Sequence, residues 1–120
     1  ELKLSGIPGL NYVRDYLDAR DVCVDLLRLC AASGREASKV ELVNVCSGEG
    51  VTLRRILQEI IHTLRPTVEP ALLERLGEAP GRPDDVPSIV GSPARFVAMT
   101  GTQPRAISLG ETVRDACAAD

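Results

Sequence analysis

Six apolar residues at helical pitch, Leu53, Ile56, Leu57, Ile60, Ile61 and Leu64, constrain what this chain can fold into more than any other feature. Their i, i+3, i+4, i+7, i+8, i+11 spacing makes one continuous stripe on a helix. Thr52 is placed to cap that helix, and Pro66, which lacks an N–H, to stop it. Just upstream, Val40, Leu42, Val43 and Val45 form a short, largely β-branched run suited to a covered parallel strand. Gly48 and Gly50 supply the sharp reversal between the two. A strand feeding a helix this closely is half of a βαβ unit, and it needs neighbouring elements before both its faces are buried. The expected fold class is α/β.

The flanking sequence extends this pattern. Leu2, Leu4 and Ile7 alternate weakly toward Pro8-Gly9, and residues 12–17 suit a second extended piece. Asp18 is a good N-cap for a helix carrying Val22, Cys23, Leu26, Leu27, Leu29 and Cys30 on its apolar face and ending near Ser33-Gly34. Thr67 to Glu69 suits a brief strand, and Pro70 to Gly77 one or two helical turns. Residues 78–87, with three prolines and a glycine, exclude regular structure. Ser92-Pro93 opens a further helix that turns Phe96, Val97 and Met99 inward. After a turn at 101–104, Ser108-Leu109-Gly110-Glu111 has the form of a capping box for a last helix burying Leu109, Val113, Ala116 and Cys117.

Composition narrows the function classes. Aromatic residues make up 2% of the 120, so the core must be aliphatic. A net charge of −3 argues against a nucleic-acid partner, which needs a basic face. No apolar run approaches the roughly 18 residues of a membrane span, and no secretory signal opens the chain. Cys23, Cys30, Cys46 and Cys117 form no C-x-x-C pair, and with a single His they make a poor metal-ligand set. They read as small buried hydrophobes in a reducing, cytoplasmic setting.

No nucleophile–base constellation is visible. Asp18 and Asp21 are explained by capping and dipole compensation, and His62 by a place near a helix C-terminus. Ser47-Gly48-Glu49-Gly50 lacks the spacing and the Lys of a P-loop and reads as a turn. Two arginines stand out. Arg14 precedes a helix in an extended segment, and Arg82 sits between prolines in a stiff loop. A guanidinium fork matches two anionic oxygens, and proline flanks lower the entropy of holding it for a ligand. The alternative for Arg82 is a surface pair with Asp84 or Asp85 of little energetic consequence.

Four segments together resemble the extended short-chain dehydrogenase/reductases that act on nucleotide sugars. Arg14-Asp15-Tyr16-Leu17-Asp18-Ala19-Arg20-Asp21-Val22 is similar to their R-D-[FY]-x-x-x-x-D-V segment, and Val43-Asn44-Val45-Cys46-Ser47-Gly48-Glu49 to their N-V-x-S-G-E strand and loop. Arg82-Pro83-Asp84-Asp85-Val86-Pro87 resembles their R-P-x-D-[VL]-P loop. Val90-Gly91-Ser92-Pro93-Ala94-Arg95 through Thr100-Gly101-Thr102-Gln103-Pro104 resembles their tail. Thr102 stands where the tail has Trp, Ser92 where it has Asp, and Gly9-Leu10-Asn11 replaces a G-N-L. The variants lean toward the GDP-sugar branch of GDP-mannose 4,6-dehydratase and GDP-4-keto-6-deoxymannose reductase.

The resemblance implies one unit over residues 1–120: a late Rossmann strand and helices plus a small, helix-rich substrate-binding lobe, the C-terminal part of such an enzyme. The NAD(P)-binding Rossmann region is not in these residues. By that likeness Arg14 and Arg82 contact the diphosphate of a nucleotide sugar, GDP-linked by preference, and Asp85 lies near the ribose or orients its loop. NAD or NADP would serve the parent enzyme, with none expected on this chain alone. No G-x-x-G-x-x-G follows a first strand and no Y-x-x-x-K occurs. The family's general acid/base Tyr and nicotinamide-positioning Lys are thus lacking, and the chain alone would be inactive. A free-standing, non-catalytic domain derived from the family is the alternative. Partners expected are the missing Rossmann portion or a second copy, and no membrane.

Overall fold

The computed structural model of the chain describes residues 6–34, 40–67, 75 and 77–118. Their elements run β1 (Ile7–Pro8), β2 (Val13–Arg14), α1 (Ala19–Ala32), β3 (Val51–Thr52), α2 (Leu53–Leu64), β4 (Glu78–Ala79), β5 (Ser88–Ile89), α3 (Ala94–Thr100) and α4 (Leu109–Cys117). The architecture is mixed α/β, as expected, and it divides into two compact units. The strand expected at 67–69 and the helical turns expected after Pro70 fall outside the described residues. Among the described residues no helix is long and apolar enough to cross a membrane.

The first unit comprises Glu1–Arg14, Gly50–Ile89 and Ser108–Asp120 and holds every described strand. β2 is the middle of a three-stranded sheet. Val13 and Arg14 face Thr52 and Val51 of β3 antiparallel, and Ser88 and Ile89 of β5 in parallel. β1 and β4 form a second, parallel pair, Ile7 opposite Glu78 and Pro8 opposite Ala79. The proline-rich loop is therefore not wholly irregular, since its first two residues are paired. Between β1 and β2 the chain turns at Gly9, whose φ of 68° only glycine adopts readily, and the Tyr12 N–H closes the turn on the Gly9 carbonyl at 2.9 Å.

The two described helices of this unit start as the sequence dictates. The Thr52 hydroxyl accepts from the Arg55 N–H, and the Ser108 hydroxyl from the Glu111 N–H. α2 ends two residues before Pro66, with His62 exposed in its last turn. The stripe of α2 is half-buried from Leu53 to Ile61, while Leu64 is 51% exposed. α2 packs on α4, where Val113 is buried and Gly110 lets the helices close. A methyl there would come within 2.8 Å of the Glu59 Oε1. Leu109 and Cys117 are half-buried, but Ala116 is exposed rather than inward.

The second unit, Asp15–Glu49 and Val90–Ile107, carries α1 and α3, which pack together. Here four expectations need correcting. Residues 41–47 join no sheet, and Val40 and Leu42 are 91% and 78% exposed. A run of β-branched residues becomes a strand only when a neighbour takes its N–H and C=O groups, and the described residues offer none. α1 runs where expected, capped by the Asp18 carboxylate, but its inward face differs. Asp21 and Asp25 are fully buried, whereas Leu27 is 70% exposed and Leu26, Cys23 and Cys30 are also exposed. Of the cysteines only Cys46 is buried; all four are free thiols. α3 starts one residue later than expected, with Pro93 as N-cap instead of first helical residue. It buries Phe96 and ends at Gly101 in the left-handed region.

Candidate functional site

β2 brings the first expected arginine to the proline-rich loop. Because β2 runs parallel to β5, the Val13 N–H donates to the Pro87 carbonyl at 2.9 Å, which brings the end of the proline-rich loop to β2. The Arg14 Nη2 then lies 3.2 Å from the Asp85 Oδ1, with the two side chains 27% and 41% exposed. At that exposure the pair contributes about 0–1 kcal/mol, so it orients the groups more than it stabilises the fold. Arg14 Nη1 donates to its neighbour's carbonyl, Val13, at 2.9 Å. The guanidinium also stands 5.5 Å from the centroid of the Tyr12 ring, within cation–π range.

Arg82 is placed differently. The Asp85 N–H donates to the Arg82 carbonyl at 3.1 Å, closing a turn over Pro83-Asp84. Its side chain is exposed and takes no hydrogen bond or ion pair among the described residues. Asp85 thus pairs Arg14 instead of Arg82. Arg14 and Asp85 are brought into contact, and Arg82 is tied to Asp85 through the backbone only. Tyr12 was missed by sequence reasoning, since a lone Tyr in an extended segment carries no spacing signal.

The second unit has its own polar centre, built on Asp15 of the R-D segment. Asp15 Oδ1 accepts from the Ser47 N–H at 2.9 Å and the Ser47 hydroxyl at 2.6 Å. Oδ2 accepts from the N–H groups of Gly48 at 3.0 Å and Gly91 at 3.2 Å. Burial pushes the Asp15 carboxyl toward the neutral form, but the Ser47 side chain and the three backbone donors outweigh it and hold the pKa below the ordinary value. Next to it, burial first and then the Asp15 charge push the Cys46 thiol up. The glycine-rich turn is thereby occupied: its N–H groups serve Asp15. Those residues do not fit a dinucleotide pyrophosphate, and no cofactor step can be built on them. Among the described residues no cluster of His, Cys, Asp and Glu is arranged for a metal ion.

Deeper in the same unit, α1 presents two further carboxylates to the 103–107 segment. Asp25 accepts from the Arg105 N–H at 3.1 Å and pairs Arg28 at 3.1 Å, while Asp21 accepts from the Ile107 N–H at 2.6 Å and faces the Arg105 Nε at 3.0 Å. Asp21 Oδ1 has that ion-pair distance without hydrogen-bond alignment. These groups are consumed by holding a loop, which explains burial of charge without invoking catalysis.

The chain matches known proteins along most of its length. It is 26% identical over 101 residues, 84% of this chain and 32% of the relative, to a GDP-6-deoxy-D-talose 4-dehydrogenase of Aggregatibacter actinomycetemcomitans. The structure of RMD from Pseudomonas aeruginosa, complexed with NADPH, superimposes with a TM-score of 0.66 at 28% identity, covering 91% of this chain and 33% of that one. The chain is thus similar to the NAD-dependent epimerase/dehydratase type of short-chain dehydrogenase/reductase, over the part of those proteins that it covers. Two more solved structures share the fold: the Bordetella bronchiseptica enzyme WbmG in complex with NAD, and UDP-glucose 4-epimerase from Bifidobacterium longum in complex with NAD+ and UDP. Their TM-scores are both 0.65, at 20% and 16% identity, over 94% of this chain and 32% and 33% of theirs. No protein-family model matches. The chain spans about a third of the length of these short-chain dehydrogenase/reductase relatives.

Proposed function

We propose that this chain is the nucleotide-sugar-binding portion of an NAD(P)-dependent dehydratase, reductase or epimerase acting at the sugar C4. Arg82 anchors the diphosphate, Arg14 contributes a second guanidinium beside it, and Asp85 orients the loop or meets the ribose. The observation that carries this reading is the exposed Arg82 side chain on a loop stiffened by Pro83 and Pro87 and pinned beside Arg14 by the Asp85 pair. A guanidinium held this way meets two phosphate oxygens with little ordering cost. A GDP-linked sugar is favoured by the likeness to the talose 4-dehydrogenase. The hydride chemistry, with its Tyr, Lys and nicotinamide, belongs to the remainder of the parent enzyme, and exposed Val40 and Leu42 suit a surface that remainder covers.

The test is calorimetric titration of GDP-mannose and UDP-glucose into the full chain. Arg82→Ala is expected to weaken GDP-mannose by about 2 kcal/mol, the loss of a charge-assisted contact. Unchanged affinity removes Arg82 as the anchor. The second reading, a non-catalytic domain derived from the family, is favoured by the lack of Y-x-x-x-K in these residues. NADPH-dependent turnover of a GDP-sugar by the protein carrying this chain would reject it.

A further inference from the structure

The turn before β2 contains an aromatic side chain that touches both ends of the arginine site. Tyr12 lies against two glycines. A methyl on Gly9 would meet the Tyr12 Cδ2 at 3.1 Å and Cγ at 3.4 Å, and one on Gly81 would meet Cζ at 2.8 Å and collide with Oη. The phenol end of the ring therefore packs directly on the backbone of Gly81, the residue before Arg82. The ring itself faces the Arg14 guanidinium at 5.5 Å. Arg14 holds Asp85, and the Asp85 N–H returns to the Arg82 carbonyl. A closed circuit results: Tyr12 to Gly81 and Arg82 on one side, Tyr12 to Arg14, Asp85 and Arg82 on the other.

We propose that Tyr12 is a positioning residue that sets the relative placement of Arg14 and Arg82, and through them the spacing at which a diphosphate is gripped. The proposal rests on the reading of Arg82 as a diphosphate anchor. The ring acts through packing and the cation–π contact, not through its hydroxyl chemistry, because the Oη contact with Gly81 is one of shape. Two glycines make the slot: a side chain at Gly81 would force the ring to shift, while Gly9 is held to glycine by its φ of 68° as well as by the ring. Tyr12 is half-buried and belongs to no helix or hydrophobic stripe that would otherwise account for it.

The experiment uses GDP as probe, titrated calorimetrically into the full chain, with a thermal melt on each variant. Tyr12→Phe keeps the ring and is expected to bind GDP as the parent does. Tyr12→Leu is expected to lose about threefold to fivefold in affinity, the value of a partly exposed cation–π contact, at an unchanged melting temperature. Gly81→Ala, which drives the 81–82 backbone off the ring, should lose affinity as well. In the Tyr12→Leu background the same alanine should cost nothing further, because the obstacle is gone. That non-additivity is what a general structural role would not produce. Should Tyr12→Leu fail to fold, Gly81→Ala against Tyr12→Phe still decides. Arg82→Gln separates the two ideas. If it binds GDP normally, the anchor reading has failed. If it loses GDP while Gly81→Ala and any folded Tyr12→Leu bind as the parent does, only the positioning role is overturned.

Discussion

Replacing Asp15 tests the polar centre of the second unit most directly. Alanine removes four acceptor contacts at once: the Ser47 N–H and hydroxyl and the N–H groups of Gly48 and Gly91. The Ser47 hydroxyl keeps an alternative acceptor in the Glu49 carbonyl at 3.2 Å, so three backbone donors bear most of the loss. The site is only half-buried, so each bond is discounted below the range for a charged acceptor to that of an ordinary one, about 1 kcal/mol net, and Asp15→Ala should cost about 3 kcal/mol. Asp15→Asn is the more discriminating change. Its carbonyl oxygen can retain the Ser47 pair, but its amide then points donor-to-donor at Gly48 and Gly91. An isosteric, neutral replacement should therefore recover no more than half of the loss, leaving about 1.5 kcal/mol or more.

Urea unfolding at pH 7 measures both values, and amide exchange at Gly48 and Gly91 localises the effect. The pH dependence has a fixed sign. A carboxyl whose pKa is lowered on folding stabilises the native state above the unfolded value, about 3.9, and that contribution is lost as pH falls through the folded value. The gap between the parent chain and Asp15→Asn must narrow on acidification and stay level from pH 6 to 8. A neutral Asp15→Asn, or unchanged exchange at Gly48 and Gly91, would refute the assignment of these bonds as the hold on the turn.

Further expectations concern packing and thiol reactivity. Gly91→Ala places a methyl 2.6 Å from the Cys46 Cβ and Sγ and should destabilise by about 1–3 kcal/mol in chemical denaturation, as overpacking does. A melt identical to the parent's would contradict that close approach. Asp25→Ala leaves the Arg105 N–H and Arg28 without their buried acceptor and is expected to cost about 2–4 kcal/mol by the same measurement. Ser108→Ala removes the cap of α4 and should lower stability by about 1 kcal/mol. Thiol titration at pH 8 should label the exposed Cys23 and Cys30 first and Cys46 last, since Cys46 is buried with its pKa raised. Early modification of Cys46 would contradict that environment.

Legibility in the sequence followed the range of the interaction concerned. Caps are local, so Asp18, Thr52 and Ser108 were placed correctly from the residues that follow them. The α2 stripe was legible because its partner, α4, is apolar too. α1 shows where such reasoning fails. Its fully buried pair, Asp21 and Asp25, stands at the same i, i+4 spacing as an apolar stripe would, but the partner is backbone N–H of residues 105 and 107. Periodicity weighs side-chain polarity and is blind to loop amides, so it assigns Leu26 and Leu27 to the inward face. The run at 40–45 failed for the opposite reason: its polarity suits a strand, but pairing depends on a neighbour that the local sequence does not specify. Arg14 and Arg82 stood out by residue type and flanking prolines. Their link through Asp85 required the pairing of β2 with β5, a contact spanning 71 residues.

The distribution of arginine partners bears on which cation meets an anionic ligand. Arg20, Arg28, Arg55, Arg95 and Arg105 each contact a carboxylate, and Arg14 holds Asp85. An anion approaching any of these must displace an acceptor already in place, which reduces the net gain. Arg114 lies in the last turn of α4, where its charge complements the helix carbonyls. Arg82 differs on both counts. Its guanidinium has no acceptor among the described residues, and the backbone beneath it is fixed by the turn to Asp85, by Pro83 and by Gly81 against Tyr12. Exposed and hydrated, that guanidinium meets an arriving anion without first displacing a protein acceptor. Arg65 and Arg75 also show no carboxylate partner among the described residues, so it is the fixed loop backbone beside Asp85 that singles out Arg82 as the first residue to substitute.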